Sequence, residues 1–376
     1  THIKLADLTA HYHQVIFTTG APVDRNLDIP GEDLIGSHSA TEFVAWYNGH
    51  PDFANLKFDL SQENVSIVGM GNVAMDVARI LSKTPEELSE TDMADYALEA
   101  LRASNVKQVY LLGRRGPAQA AFTPPEIKEI GELADSDVTV LADEALVDAH
   151  SLQYLEANPD KNAEKNIAYV TEYAARERTG KSKLLTVRFL VSPVELLGED
   201  GRVRAVKLVK NEAYMSDDGS VRPRATDVVE ELPAGLVFRS VGYKGLPLPE
   251  VPFHESWGTI YNDKGRVQSA EGEQVNGLYT AGWIKRGPTG VIGTNKTDAQ
   301  ETVQCMVEAL AAGKILQPDD ASREAIDTLV RERQPEVVSY ADWKRIDEKE
   351  IENGEAQNRP RVKFTNVADM LAVLER

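Results

Sequence analysis

The chain has 376 residues, 42% hydrophobic and 27% charged, enough for two or three ordinary domains of a globular enzyme. A net charge of −19 argues against a grip on nucleic acid or anionic lipid, and no apolar run approaches the roughly 20 residues that cross a bilayer. A lone cysteine, Cys305, excludes a disulfide framework, a Cys-x-x-Cys relay and any iron–sulfur cluster held by this chain alone; it fits a reducing, cytoplasmic setting.

In chain order, "HQVIFTTGA" (13–21) reads as a buried strand ending in a glycine turn, and Pro30-Gly31 punctuates the loop after it. Residues 41–51 read as a short helix with Thr41 placed to cap it. "VSIVGMGNVAMDVARILSK" (65–83) reads as a strand, a glycine turn and a helix over 73–83. A second helix is expected over 89–104, a strand over 106–116, a helix over 124–133 with proline in its first turn, and a strand over 138–142. Residues 184–198 and 202–213, separated by Glu199-Asp200-Gly201, read as an antiparallel hairpin. "GLVFRSVGYKG" (235–245) is again strand then glycine and echoes the first strand. The two echoes are read as places where the chain passes between domains, so the stretch between them is one inserted α/β domain. Boundaries are expected at 1–20, 21–240 and 241–376, with short strand–helix alternation predicting a doubly wound parallel sheet.

The turn at 69–75 has the pattern of a dinucleotide site. Gly69 permits the tight turn, Gly71 lets backbone approach a pyrophosphate, and Ala74 holds the third position, where the task is close helix–strand packing. Asn72, Val73 and Met75 complete this cofactor-binding block. The alternative is a strand–helix turn with no ligand. The next strand ends in Arg114-Arg115 where an NAD-binding chain places an acid. Two guanidiniums suit a 2′-phosphate, which favours NADP(H) over NAD(H); the alternative is a solvated basic turn.

The blocks "VGMGNVAMDVARIL", "GRRGPAQAAFTPPEIKEI", "RSVGYKG" and "GWIKRGPTGVIGTNKTDA" resemble the NADPH–ferredoxin reductases of the adrenodoxin reductase type, in the same order and from end to end. The resemblance implies an α/β, two-domain doubly wound (Rossmann-like) flavoprotein with an NADP domain (21–240) inserted in an FAD domain (1–20 and 241–376). It implies FAD and NADP(H) as cofactors, a ferredoxin-type iron–sulfur protein as partner, and hydride transfer from NADPH to FAD followed by single-electron delivery. The family opens on an FAD fingerprint of its own that these residues do not contain, so the isolated 376 residues are expected to hold FAD poorly and to be inactive alone. By resemblance, Gly282, Trp283 and the Gly290-Val291-Ile292 backbone contact the flavin, and Gly290 also meets the nicotinamide side. Gly287, Pro288, Gly290 and Gly293 form a loop that a flat ring can approach, and the helix expected over 294–311 aims its N-terminus at it. The bland alternative is a glycine-rich loop capping a core helix.

Glu126 and Glu129 are three apart and share a helix face. The resemblance implies that Glu126 contacts NADP and that Glu129 lies near the nicotinamide, orienting its carboxamide or a water as the catalytic group; the alternative is a solvated acidic face beside Lys128. His11 and His13 are read on one strand face with no further ligand, so no metal is expected. Cys305, Trp46, Trp257 and Trp343 are read as packing residues. Lys285 and Arg286 are read either as a surface turn or as contacts to a phosphate or an acidic carrier. A thioredoxin-reductase route lacks its cysteine pair. A glutamate-synthase small-subunit-like NADPH/flavin module and an inactive NADP-binding fragment are the remaining alternatives.

Overall fold

β-branched runs that end at glycine become strands, and the amphipathic stretches between them become helices, in a computed structural model that describes residues 3–290 and 292–375. The chain sorts into two units. One comprises the residues through Arg25 with Gly242–Trp343; the other comprises Asn26–Val241 with Lys344–Glu375.

The first unit contributes β1 (Val15–Phe17) before the chain enters the second. There it forms β2 (Ser37–Ser39), β3 (Asn64–Val68), α1 (Asn72–Ser82), β4 (Gln108–Leu112), α2 (Pro124–Ile130), β5 (Ser136–Val140), α3 (Lys161–Ala175) and β6 (Lys183–Arg188). Three long strands follow, β7 (Val191–Glu199), β8 (Arg202–Met215) and β9 (Val221–Pro233), and then β10 (Leu236–Arg239). A parallel sheet runs in the order β2-β10-β3-β4-β6-β5. From β3 the chain moves outward through β4 to β5, and β10 later pairs on the opposite side of β3. The strand order therefore reverses at β3, and the carboxyl end of that strand is where such sheets place ligands. Val65, Ile67, Val109, Leu111, Leu185, Val187 and Phe238 are fully buried in this core, covered in part by Ala74, Met75, Val77, Ala78 and Leu81 of α1. β7, β8 and β9 form an antiparallel sheet whose Leu196, Val206 and Leu208 join Val68 and Leu112 in a second core.

In the first unit, β11 (Asn262–Asp263), β12 (Arg266–Gln268) and β13 (Gln274–Thr280) make a sheet of order β1-β13-β12-β11. Only the β1–β13 pair is parallel. α4 (Trp283–Arg286) and α5 (Ile292–Ala311) follow.

Several expectations change. Residues 184–198 do not form one arm of a hairpin: β6 is an interior parallel strand, Leu190 turns the chain at φ 54, and the hairpin is β7–β8 with β9 added. The helix expected over 89–104 is two, Pro85–Ser89 and Asp95–Arg102, because Thr84 and Glu87 form a capping box that starts the first early. Ser39, not Thr41, caps the helix Ala40–Tyr47, its hydroxyl accepting from the Thr41 N–H. His11 ends the helix Leu5–His11, so His11 and His13 share no strand face. Lys344–Glu375 groups with the second unit and not with the rest of 241–376. Its Arg359 is buried there against the Asp95 carboxylate and the carbonyls of Met93 and Thr91. Trp46 is buried, whereas Trp257 and Trp343 are exposed. Among the described residues no helix is long and apolar enough to cross a membrane.

Candidate functional site

Gly69 sits at the carboxyl end of β3 with φ +138, and a Cβ there would lie 2.1 Å from the Ser240 carbonyl oxygen. The parallel pairing of β3 with β10 therefore demands glycine at this position. Gly71 is the N-cap of α1, and a Cβ on it would meet nothing within 4 Å, so the turn faces open space. Among the described residues no side chain caps α1. Asn72, Val73 and Ala74 precede its first intrahelical bond, from Met75 N–H to the Gly71 carbonyl (3.1 Å). Their N–H groups are the donors an anion meets at a helix N-terminus. Ala74 and Met75 turn their side chains into the core. Met75 has also committed its N–H, so it shapes the turn by packing.

Arg114 and Arg115 follow β4 after Gly113, beside this turn: Gly69 N–H donates to the Leu112 carbonyl (2.9 Å), and Ala121 N–H to that of Met70 (3.0 Å). Both arginines are exposed, and neither guanidinium has a carboxylate partner among the described residues. Partial desolvation, then the charge of Arg114, push the Arg115 guanidinium below its usual pKa. Two unpaired like charges beside an uncapped helix N-terminus form a site that an anion would relieve.

The Asn72 side-chain oxygen accepts from Thr123 N–H (2.9 Å), which sets the start of α2 beside the start of α1. The two helices then run together, and Glu126 and Glu129 both reach Arg79 of α1, Glu126 at 3.1 Å. Asp76 also pairs with Arg79, and Lys83 lies 3.2 Å from Glu129. Burial opposes ionisation of Glu129, but Arg79 and Lys83 outweigh it and hold its carboxyl below the usual range. Asp76 is shifted upward, by burial and by repulsion from Glu126 and Glu129 against the pull of Arg79. The shared face is thus a cluster of three carboxylates and two cations, more closely tied than a solvated acidic face.

In the first unit, Gly282 and Gly287 have φ of +78 and +82, and a Cβ on either would meet no atom within 4 Å. Gly290 also has positive φ, +79, but there a Cβ would collide with Thr294. Trp283 stacks on Tyr243 at 6.1 Å, and its buried indole N–H has no partner among the described residues. Asp298 of α5 accepts from Gly282 N–H (2.5 Å) and pairs with Lys285 (3.0 Å), which also reaches Glu301 (2.8 Å). Lys285 is therefore a buried brace rather than a surface turn or a phosphate contact. Arg286 bonds the Thr289 hydroxyl (3.0 Å). Ile292 begins α5; Val291 and the side chain of Ile292 lie outside the described residues. Cys305 is buried, its thiol 3.4 Å from the Lys264 carbonyl.

No protein-family profile matches the chain. It is 43% identical over 373 residues to the NADPH-ferredoxin reductase FprA of Mycobacterium leprae, covering 99% of this chain and 80% of that protein. It is 37% identical to the mitochondrial NADPH:adrenodoxin oxidoreductase of Salvelinus fontinalis, covering 99% of this chain and 75% of that one. The solved structure of Mycobacterium tuberculosis FprA in complex with NADPH superposes with a TM-score of 0.88 at 41% identity, covering 99% of this chain and 81% of that one. The chain belongs to the NADPH-ferredoxin reductase family.

As a family member this reductase is an oxidoreductase, with the α/β doubly wound architecture that its alternation predicted. The loop before α5 fits one end of a flavin: open glycine faces give a flat ring access, and the unpartnered Trp283 N–H is a donor for a ring carbonyl. Four contributors to the sites escape a local reading. Arg79 links α1 to α2, Asp298 braces the glycine loop, and Asn211 bonds the Arg114 carbonyl. Arg188 lies buried between Glu144 and Glu230 beside the arginine turn. Each acts on a partner distant in sequence, 97 residues away for Asn211. Only the charge of Arg188 inside the apolar run 184–191 signals any of them.

Proposed function

We propose that this reductase binds NADPH through the Gly69–Ala74 turn and the Arg114–Arg115 pair, and FAD in part through Gly282, Trp283 and the Gly290–Ile292 backbone. The protein is an oxidoreductase that takes electrons from NADPH and delivers them to a ferredoxin-type iron–sulfur protein. FAD, when bound, divides the two-electron hydride of NADPH into single electrons. The chain's own residues bind and orient: helix N–H groups meet the pyrophosphate, guanidiniums meet the 2′-phosphate, and the indole N–H meets the ring. The observation that carries the reading is the unpaired arginine pair beside an uncapped helix N-terminus. We place its work in the cytoplasm, with Cys305 its lone, buried thiol. Anaerobic mixing of the FAD-loaded enzyme with NADPH and oxidised ferredoxin tests the function. The flavin band should bleach and then recover as ferredoxin is reduced; a band that NADPH leaves unchanged would contradict it.

Glu126 is assigned to the nucleotide and Glu129 to the nicotinamide end, supported by their common face and their shared partner Arg79. Glu129→Gln keeps the size of the side chain and leaves Arg79 paired with Asp76 and Glu126. The expected result is a changed rate of flavin reduction with NADP⁺ affinity held within a few-fold, because a group at the ring acts on the chemical step. A stopped-flow rate equal to that of the wild type would return Glu129 to a purely structural role.

A further inference from the structure

We propose that Asn211 is a positioning residue that sets the preference of this reductase for NADPH over NADH, by fixing the backbone from which Arg114 and Arg115 project. The inference rests on the assignment of those arginines to the 2′-phosphate.

Arg114 and Arg115 have no ion-pair partner among the described residues, so nothing at their charged ends holds them in place. Their placement is set by the main chain of the turn, and the bonds that fix this turn are few. Gly113 N–H donates to the Arg188 carbonyl (2.9 Å), Val191 N–H to the Gly113 carbonyl (3.0 Å) and Leu190 N–H to the Arg115 carbonyl (3.2 Å). These three come from the backbone where β6 passes into β7, and most side chains there would permit them.

The remaining one is specific to a side chain. Asn211 of β8, 9% exposed, donates from Nδ2 to the Arg114 carbonyl (2.8 Å) and to the Ser192 hydroxyl (2.8 Å). Its own N–H donates to the Leu190 carbonyl (2.7 Å), which ties it to the residue that holds Arg115. The side-chain amide thus clamps the peptide that joins Arg114 to Arg115 onto the antiparallel sheet, while Arg115's own carbonyl is held by main-chain bonds through Leu190 that any residue but proline at 211 would keep. A valine, leucine or alanine would suit a buried β8 position, and none of them has a donor for the Arg114 carbonyl. Guanidinium–phosphate bonds are directional, often paired, and sensitive to small displacements of the donor fork. Loosening the turn should therefore weaken a ligand that carries the 2′-phosphate and spare one that lacks it.

The experiment is calorimetric titration of the whole reductase with NADP⁺ and with NAD⁺, for the wild type, Asn211→Ala, Arg114→Ala/Arg115→Ala, and the triple variant. Asn211→Ala should weaken NADP⁺ by about 5- to 30-fold, the scale of a displaced charged hydrogen bond, and change NAD⁺ by less than about twofold. In the arginine-free background the same substitution should change NADP⁺ by less than about twofold, because a residue that acts through the arginines has nothing left to position. Should Asn211→Ala fail to fold, Asn211→Ser keeps a short donor and should give a smaller loss of the same selective kind. Equal weakening of both nucleotides, or an effect on NADP⁺ that persists without the arginines, would overturn the role of Asn211. Removal of the arginines with no change in nucleotide preference would overturn the assignment on which it rests.

Discussion

Replacing Arg114 and Arg115 together by alanine is expected to weaken NADPH by roughly 10- to 1000-fold and to leave NADH nearly unchanged. Two charge-assisted hydrogen bonds at about 1.5–3 kcal/mol each set the upper scale, and the exposure of both side chains lowers it. The wild-type pair repels itself, since Arg115 is shifted downward by partial desolvation and by Arg114. Removing both charges should therefore leave folding stability unchanged or slightly improved. That combination separates a ligand site from a structural one, because loss of a structural arginine weakens the fold and both nucleotides together. Steady-state ferredoxin reduction by the full-length, FAD-loaded enzyme with each donor, beside a denaturation curve, reads all three quantities. Equal losses for NADPH and NADH would remove the 2′-phosphate from this turn.

Glu144→Ala is expected to destabilise the second unit by about 3 kcal/mol. Arg188 is 3% exposed and Glu144 5%. The guanidinium spans both carboxylate oxygens at 2.8–3.0 Å, while the Phe189 N–H donates to the same carboxylate at 2.9 Å. Removing one partner of a buried pair leaves an uncompensated charge, which costs about 3–5 kcal/mol. Glu230 stays bonded to Arg188 at 2.8 and 3.1 Å, so the lower end applies. The carbonyl of Arg188 also holds Gly113, so the loss should extend to a looser arginine turn. Urea denaturation checks the first effect; a change below about 1 kcal/mol would mean that Glu230 alone satisfies the guanidinium.

The parts of the molecule that the sequence made legible are those with a local cause. Val65–Val68 followed by Gly69 and Gly71 carries strand, turn and helix start within one turn of chain, and Arg114-Arg115 marks the end of the next strand. The spacing of Glu126 and Glu129 placed both on one face, and both meet Arg79. Elements without a periodic signal were missed. α3 buries only Ala163, Asn166, Val170 and Tyr173 in 15 residues, and β9 buries only Val221 and Leu232 of its 13. Nor did Lys285 read as buried, because its neutralising Asp298 and Glu301 arrive a helix later. Arg359 docks 264 residues from Asp95, so the placement of the last segment was beyond any local pattern.

The central claim is that the turn of α1 and the arginine pair hold NADP(H), and a crystal structure of the NADP⁺ complex tests it most directly. The pyrophosphate should lie against the N–H groups of Asn72, Val73 and Ala74, with the 2′-phosphate within hydrogen-bonding distance of the Arg114 and Arg115 guanidiniums. A nucleotide bound elsewhere, or one whose 2′-phosphate points to solvent away from both arginines, would contradict it.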